Sequence, residues 1–283
     1  MDIKTKINEA IKDMATKVSR DTKHIYRHSE TGDMYQGVST VSSIIPKDWL
    51  AAWGAKEAVK FLGYSDYPND TKRAEEIIEK IKQLTPEQLI EFLKEAKGAS
   101  SRKSKQAMVD GKKGHIWLES YVQAKITAKE PPLLPINTPL ERPLSQFLEW
   151  EIKEVDYWIA SEAIVTRPDK RYGGQLDMIY MSKSGKLCIG DFKFASHIDQ
   201  EYYLQTAGYA ACFEPYGITF DDRVIIRLPK TLEREEWDTK EFKYYKVPNN
   251  IEVRIVPTPY IGDREAFFAS LIVKSWINYA CPK

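Results

Sequence analysis

The sequence predicts an α/β (α+β) fold: a sheet flanked by helices, with a mainly helical N-terminal region before it. Three observations carry this expectation. Apolar residues recur at intervals of three and four near both ends of the chain, but form short dense runs between Trp158 and Phe194. From Gly111 onward the order is helix, helix, three strands, helix, strand. The 283 residues are 42% apolar and 29% charged, enough to bury a full core and unlike a disordered composition.

Ile3, Ile7, Ile11, Met14 and Val18 lie on one face of an amphipathic helix over the first twenty residues. The β-branched run YQGVSTVSSII, Tyr35 to Ile45, follows the turn-like Thr31-Gly32-Asp33 and reads as a short strand or hairpin. Pro46 opens a helix through Leu62. Thr85-Pro86-Glu87-Gln88 has the form of a capped helix start, and Gly98 is the expected stop. Five basic residues, Arg102, Lys103, Lys105, Lys112 and Lys113, stand against one acid, Asp110, and read equally as a solvated face or a phosphate-contacting stripe. They lead into a helix from Gly114 to Lys129. The segment EPPLLPIN is a connector, and Thr138-Pro139 starts a helix reaching about Val155.

Trp158 to Val165, Gly173 to Met181 and Lys186 to Phe194 are separated by RPDKRYGG and SKSG, which predicts three successive antiparallel strands. Gln200 to Phe213 returns to helical spacing. Arg223 to Leu228 and Phe242 to Val247 are further strands, and Asp263 caps a final helix to Tyr279. The expected division is 1–100, a helical region roofing a site, and 101–283, the core that bears it. No internal repeat or low-complexity tract interrupts the chain.

With 42 Lys+Arg and 41 Asp+Glu, the formal charge is 42 − 41 = +1, so nucleic acid is not coated through bulk charge and any contact surface is a local patch. No run approaches the roughly 18 apolar residues of a membrane helix, and the start MDIKTKINEA has no apolar signal core, so the expected location is the cytoplasm, with no membrane partner. The three cysteines, Cys188, Cys212 and Cys281, suit a reducing compartment, contain no CxxC pair and cannot supply the four thiolates of an ordinary iron–sulfur cluster.

The chemistry concentrates in GGQLDMIY and GDFKF. Asp177 lies within an apolar strand, while Asp191 and Lys193 are two apart on the next strand and share a face. Carboxylates at core-like positions are costly unless paired or bound to a metal, and two converging ones repel. A divalent cation would resolve this, with hard oxygen ligands favouring Mg²⁺ or Mn²⁺. An ordinary Asp–Lys cross-strand pair is the competing reading. His115 and Glu119 share a helix face, as do Gln205 and Tyr209. A zincin motif is excluded because Glu119 stands where the second histidine belongs. Each of these residues taken singly also reads as ordinary packing.

The ordered set GKKGHIWLE, SEAIV, GGQLD, IGDFK and LQTAGY, over about residues 111–213, resembles the RecB-like branch of the PD-(D/E)XK nuclease superfamily. YQGVSTVSSII and the Trp-bearing helix after it are more loosely similar to the entry region of viral and mitochondrial single-strand exonucleases. The superfamily's Pro is absent, with Leu176 before Asp177, and Phe194 stands where many relatives have Thr. The cluster-forming cysteines of some relatives are missing.

The resemblance implies a restriction-endonuclease-like core with a central mixed sheet flanked by helices. It implies that Asp177 and Asp191 bind the catalytic Mg²⁺ or Mn²⁺, with His115 as a further ligand and the Phe192 carbonyl completing the shell. Lys193 would sit beside the attacking water. With an ordinary pKa of about 10.4, it is better suited to positioning the water and stabilising phosphorane charge than to acting as a base. Glu162 orients a metal-bound water or simply faces solvent. Glu119, Gln205, Tyr209, Lys112 and Lys113 orient the site or touch the substrate.

The function so implied is metal-dependent hydrolysis of DNA from its ends in replication or recombination, with DNA as substrate and a single-strand-annealing or replication protein as a candidate partner. Tyr35, Trp49, Trp53 and Trp117 could stack on bases or belong to the core. The rivals are an endonuclease of the same fold and a catalytically silent nucleic-acid-binding protein. No GxxxxGK[ST] helicase motif occurs, which points to a viral, phage-type protein in the host cytoplasm.

Overall fold

The computed structural model describes residues 2–21, 25–63, 71–229, 231–238, 243–257 and 261–280. Two compact units emerge, 1–45 together with 111–283, and 46–110. Residues 1–45, which the sequence placed with an N-terminal region reaching 100, thus lie in the same unit as the sheet. The cause is packing. Helix α1, Ile3–Lys17, buries Ile7, Ala10 and Met14 in the core shared with the central strands.

Three short strands follow, β1 (Val18–Arg20), β2 (Tyr26–His28) and β3 (Met34–Gly37). The expected strand from Tyr35 ends at Gly37, where the chain turns into helix α2, Val38–Ser42. Val38 and Val41, three apart, both bury completely, so tertiary packing overrides the β preference of this run.

In the smaller unit, helix α3 spans Trp49–Phe61 and α4 spans Thr71–Lys82. Thr85 then opens helix α5, Pro86–Ile126, with the reciprocal cap its sequence predicts. The Thr85 N–H donates to Gln88 Oε1 at 2.9 Å and the Gln88 N–H to Thr85 Oγ1 at 3.3 Å. Gly98 does not stop this helix. No proline follows it, and the next residues, Ala99 to Arg102, sustain a helix, so the cost of about 1 kcal/mol for an interior glycine is absorbed over 41 residues. Phe61 and Phe92 pack with ring centroids 5.5 Å apart, and Lys103 pairs with Glu57 at 2.8 Å.

The larger unit continues with α6 (Glu141–Glu154), β4 (Val155–Arg167), β5 (Tyr172–Ser182), β6 (Leu187–Phe194), α7 (Gln200–Ala211) and β7 (Asp222–Leu228). After these come a separate hairpin, β8 (Glu233–Asp238) with β9 (Lys243–Pro248), then β10 (Glu252–Pro257) and α8 (Ile261–Ala280). Strands β1, β2, β8 and β10 were not expected, although β10 carries a signal in the alternation Ile251-Glu252-Val253-Arg254-Ile255. Phe242, the expected start of β9, and Cys281 lie outside the described residues. Asp263 lies inside α8 rather than capping it, and its carboxylate accepts from Arg223 at 2.6 Å.

The central sheet is mixed and runs β1-β2-β3-β5-β6-β7-β10, with β4 along the other edge of β5. The three predicted strands are antiparallel to one another in order, whereas β3–β5 and β6–β7 are parallel. One face carries α1, α2, α7 and α8, with Leu204, Phe213 and Phe267 buried among them. The other carries the end of α5 and α6, through Leu118, Val122, Leu144 and Phe147. Helices therefore flank the sheet on both faces, the architecture the sequence predicted. Among the described residues no helix is long and apolar enough to cross a membrane.

Candidate active site

The site begins with an interruption in the sheet. Strand β4 occupies one edge of β5 along its length. On the opposite edge, β3 pairs only with Tyr172 and Gly173, and β6 only with Met178 to Met181. Residues 174–177 lie between these ladders, so β5 and β6 part where Asp177 and Asp191 stand. The Phe192 N–H, released from the β5–β6 ladder, donates to Asp177 Oδ2 at 2.7 Å.

Helix α5 brings His115 over this gap because Gly114 allows the helix to approach β6 closely. A Cβ at position 114 would lie 2.1 Å from the Phe194 ring. The His115 ring packs edge-on against Phe194, with centroids 5.5 Å apart, and its Nδ1 is 3.7 Å from Asp177 Oδ2. Burial holds the His115 pKa below the ordinary imidazole value, which keeps a ring nitrogen lone pair open for a cation.

Glu162 reaches the same point from β4, with its backbone in the left-handed region at φ 51°. Ligand atoms of His115, Glu162 and Asp177 all lie within 4.8 Å of one another. Burial, reinforced by the charges of Asp177, Glu119 and Asp191, pushes the Glu162 carboxyl up to about 8. Burial likewise raises Asp177, opposed by Lys193 and the Phe192 N–H.

Asp191 is 1% exposed, and burial pushes its carboxyl up to about 6 against the pull of Lys193. The Lys193 ammonium is 2.5 Å from Asp191 Oδ2, yet the angle is not that of a hydrogen bond, and neither Asp191 oxygen has a hydrogen-bond partner. We read the contact as an ion pair that engages Oδ2 and leaves Oδ1 as an open acceptor. For Lys193, burial disfavours the charge, but Asp191 and Asp177 outweigh it, so its pKa lies above the ordinary lysine value and it is an ammonium.

These side chains line a cavity of about 250 Å³. Glu119, Lys112, Gln205 and Tyr209 join them there, and Gln205 donates to the Tyr209 hydroxyl at 3.0 Å. Gly174 admits Tyr209, since a Cβ there would lie 2.6 Å from its ring. Lys113 is exposed and does not line the cavity. The Phe192 side chain packs in the core against Phe147, with centroids 5.5 Å apart. Arg20, Tyr26, Ser39 and Gln175 also line the cavity and were not anticipated. Gln175, two residues before Asp177, was the one with a signal, since alternation places both on one face.

The buried acidic oxygens without donors and the histidine held neutral form a donor set that fits a hard divalent cation. No known family profile matches the chain, and no curated protein matches it. Among solved structures, an alkaline exonuclease from Laribacter hongkongensis is similar at 12% identity and a TM-score of 0.30, covering 83% of this chain and 96% of that one. A likeness of that size carries no argument about function, which rests on the side chains of the cavity.

Proposed function

We propose that the chain is a metal-dependent deoxyribonuclease that hydrolyses phosphodiester bonds from DNA ends. The observation that carries this reading is the convergence of Asp177, Asp191, Lys193, His115 and Glu162 on one cavity, three acids, a histidine and a lysine at the point where the sheet opens. His115, Asp177 and Glu162 would hold Mg²⁺ or Mn²⁺, with Asp191 and the Phe192 carbonyl beside them. The bound cation would supply a lowered pKa for water and positive charge opposite the scissile phosphate.

The chain's own residues account for the rest. Lys193 directs a permanent positive charge into the cavity, suited to a non-bridging phosphate oxygen as charge builds in the phosphorane. Asp191 and Glu162 offer acceptor oxygens that orient an attacking water. The Gln205–Tyr209 pair fixes the wall that packs against Gly174. Lys112 and Glu119 stand at the rim as substrate-contacting or orienting groups. The end-directed reading follows the looser similarity of YQGVSTVSSII and the Trp-bearing helix after it to the entry region of single-strand exonucleases.

The test uses end-labelled linear DNA beside a covalently closed circle, with Mg²⁺, Mn²⁺ or EDTA. Metal-dependent loss of the linear DNA alone is the expected result, and the label position gives the polarity. Cutting of the circle would replace this reading with an endonuclease. DNA binding without cleavage in any metal, unchanged in Asp191→Ala, would replace it with a binding protein.

A further inference from the structure

Lys193 has a second neighbour that its motif does not contain. Its ammonium lies 5.0 Å from the centroid of the Tyr202 ring, on the first turn of α7, and 2.5 Å from Asp191 Oδ2. The lysine side chain is 18% exposed, so this cation–ring contact is shielded from bulk water. Tyr202 also has a fixed place on its helix. Counting three and seven residues onward gives Gln205 and Tyr209, which line the cavity, so Tyr202 shares their face of α7 one turn earlier and meets the site through Lys193 rather than lining it.

We infer that Tyr202 is a positioning residue for Lys193: its ring face and the Asp191 carboxylate together fix the direction in which the ammonium meets the substrate. A lysine has four rotatable side-chain bonds, and the ion pair with Asp191 fixes its ammonium at one contact only. A ring face beside the ammonium adds a second restraint without consuming a donor, so the ammonium's protons remain available to a phosphate. The ring need only present an aromatic face, and its hydroxyl has no part in the role.

The functional half of the inference rests on the nuclease reading, and the contact itself does not, so two measurements are paired. In the first, the side-chain Hε protons of Lys193 in the intact, metal-free protein are followed by NMR. A ring-current shift is expected in wild type, retained in Tyr202→Phe and lost in Tyr202→Met, which fills similar space without a ring. In the second, linear DNA is degraded by the same proteins at saturating Mn²⁺. Tyr202→Met is expected to lower kcat about tenfold with KM little changed, and Tyr202→Phe to rescue it to within about twofold.

No ring-current shift in wild type, undiminished kcat in Tyr202→Met, or a Phe variant as poor as the Met variant would each overturn the inference. If Tyr202→Met does not fold, wild type and Tyr202→Phe decide it by sharing or not sharing the shift. If wild type cleaves nothing, the nuclease reading has failed, and with it the catalytic role of Tyr202, while the NMR arm still decides the contact.

Discussion

Glu162 of β4 faces Asp177 of β5 between two ladder pairs, Ser161 with Met178 and Ala163 with Leu176, and adopts a φ of 51° there. A non-glycine residue in that region costs about 1–2 kcal/mol, and this one also brings a second carboxyl toward an acid. Strain combined with like-charge crowding is characteristic of a functional position, where the fold gives up stability to hold a group in place.

The first prediction follows from this strain. Glu162→Gly removes both the left-handed penalty and the buried carboxyl, so in EDTA the variant should be about 1 kcal/mol more stable than wild type by denaturant titration. It should also lose much of the stabilisation that Mn²⁺ confers. A less stable variant with metal stabilisation intact would show that Glu162 has an ordinary structural role.

A second prediction concerns pH. Asp191 and Glu162, raised to about 6 and about 8, hold more protons in the folded chain than in the unfolded one. Their contribution to stability is therefore present below the ordinary carboxylate pKa of about 4 and is lost as pH rises through 6 and 8. A divalent cation replaces those protons, so the rise in melting temperature on adding Mn²⁺ should be larger at pH 8 than at pH 5.5. Asp191→Asn and Glu162→Gln should each flatten that dependence. A metal-induced shift that is the same at both pH values would contradict the assignment.

Two glycines of α5 separate close packing from helix propensity. Gly98→Ala meets only the flexible end of Arg102, at 2.8 Å from Nη1, so the helix should gain up to about 1 kcal/mol. Gly114→Ala drives a methyl into the Phe194 ring at 2.1 Å and should cost about 1–3 kcal/mol despite the same propensity gain. Phe194→Leu in that background should recover part of the loss, read from a double-mutant cycle of denaturant unfolding.

The same pair of glycines shows how far the sequence could be read. Both stand in a helical pattern, and nothing local distinguishes a position packed against a distant strand from one facing an arginine of its own helix. Asp191, Lys193, Asp177 and His115 were legible because charged residues in apolar strands and an i, i+4 helix pair are local patterns. That β5 and β6 part beside Asp177 was not legible, since it follows from which strands reach each edge of β5. Arg20, Tyr26 and Ser39 enter the cavity through the same long-range pairing, and the left-handed backbone of Glu162 leaves no mark in SEAIV. The run from Tyr35 misled because β-branched residues favour strands until two of them, Val38 and Val41, can bury on one helical face.

The central claim is that Lys193 acts on a substrate phosphate beside the acidic cluster of one cavity. Its most direct test is degradation of end-labelled linear DNA by wild type and Lys193→Ala at Mn²⁺ concentrations shown by calorimetry to saturate both. The account predicts metal-dependent cleavage by wild type and a loss of about a hundred- to a thousandfold in the variant, the scale of removing one transition-state donor. Equal cleavage by the two proteins would contradict it.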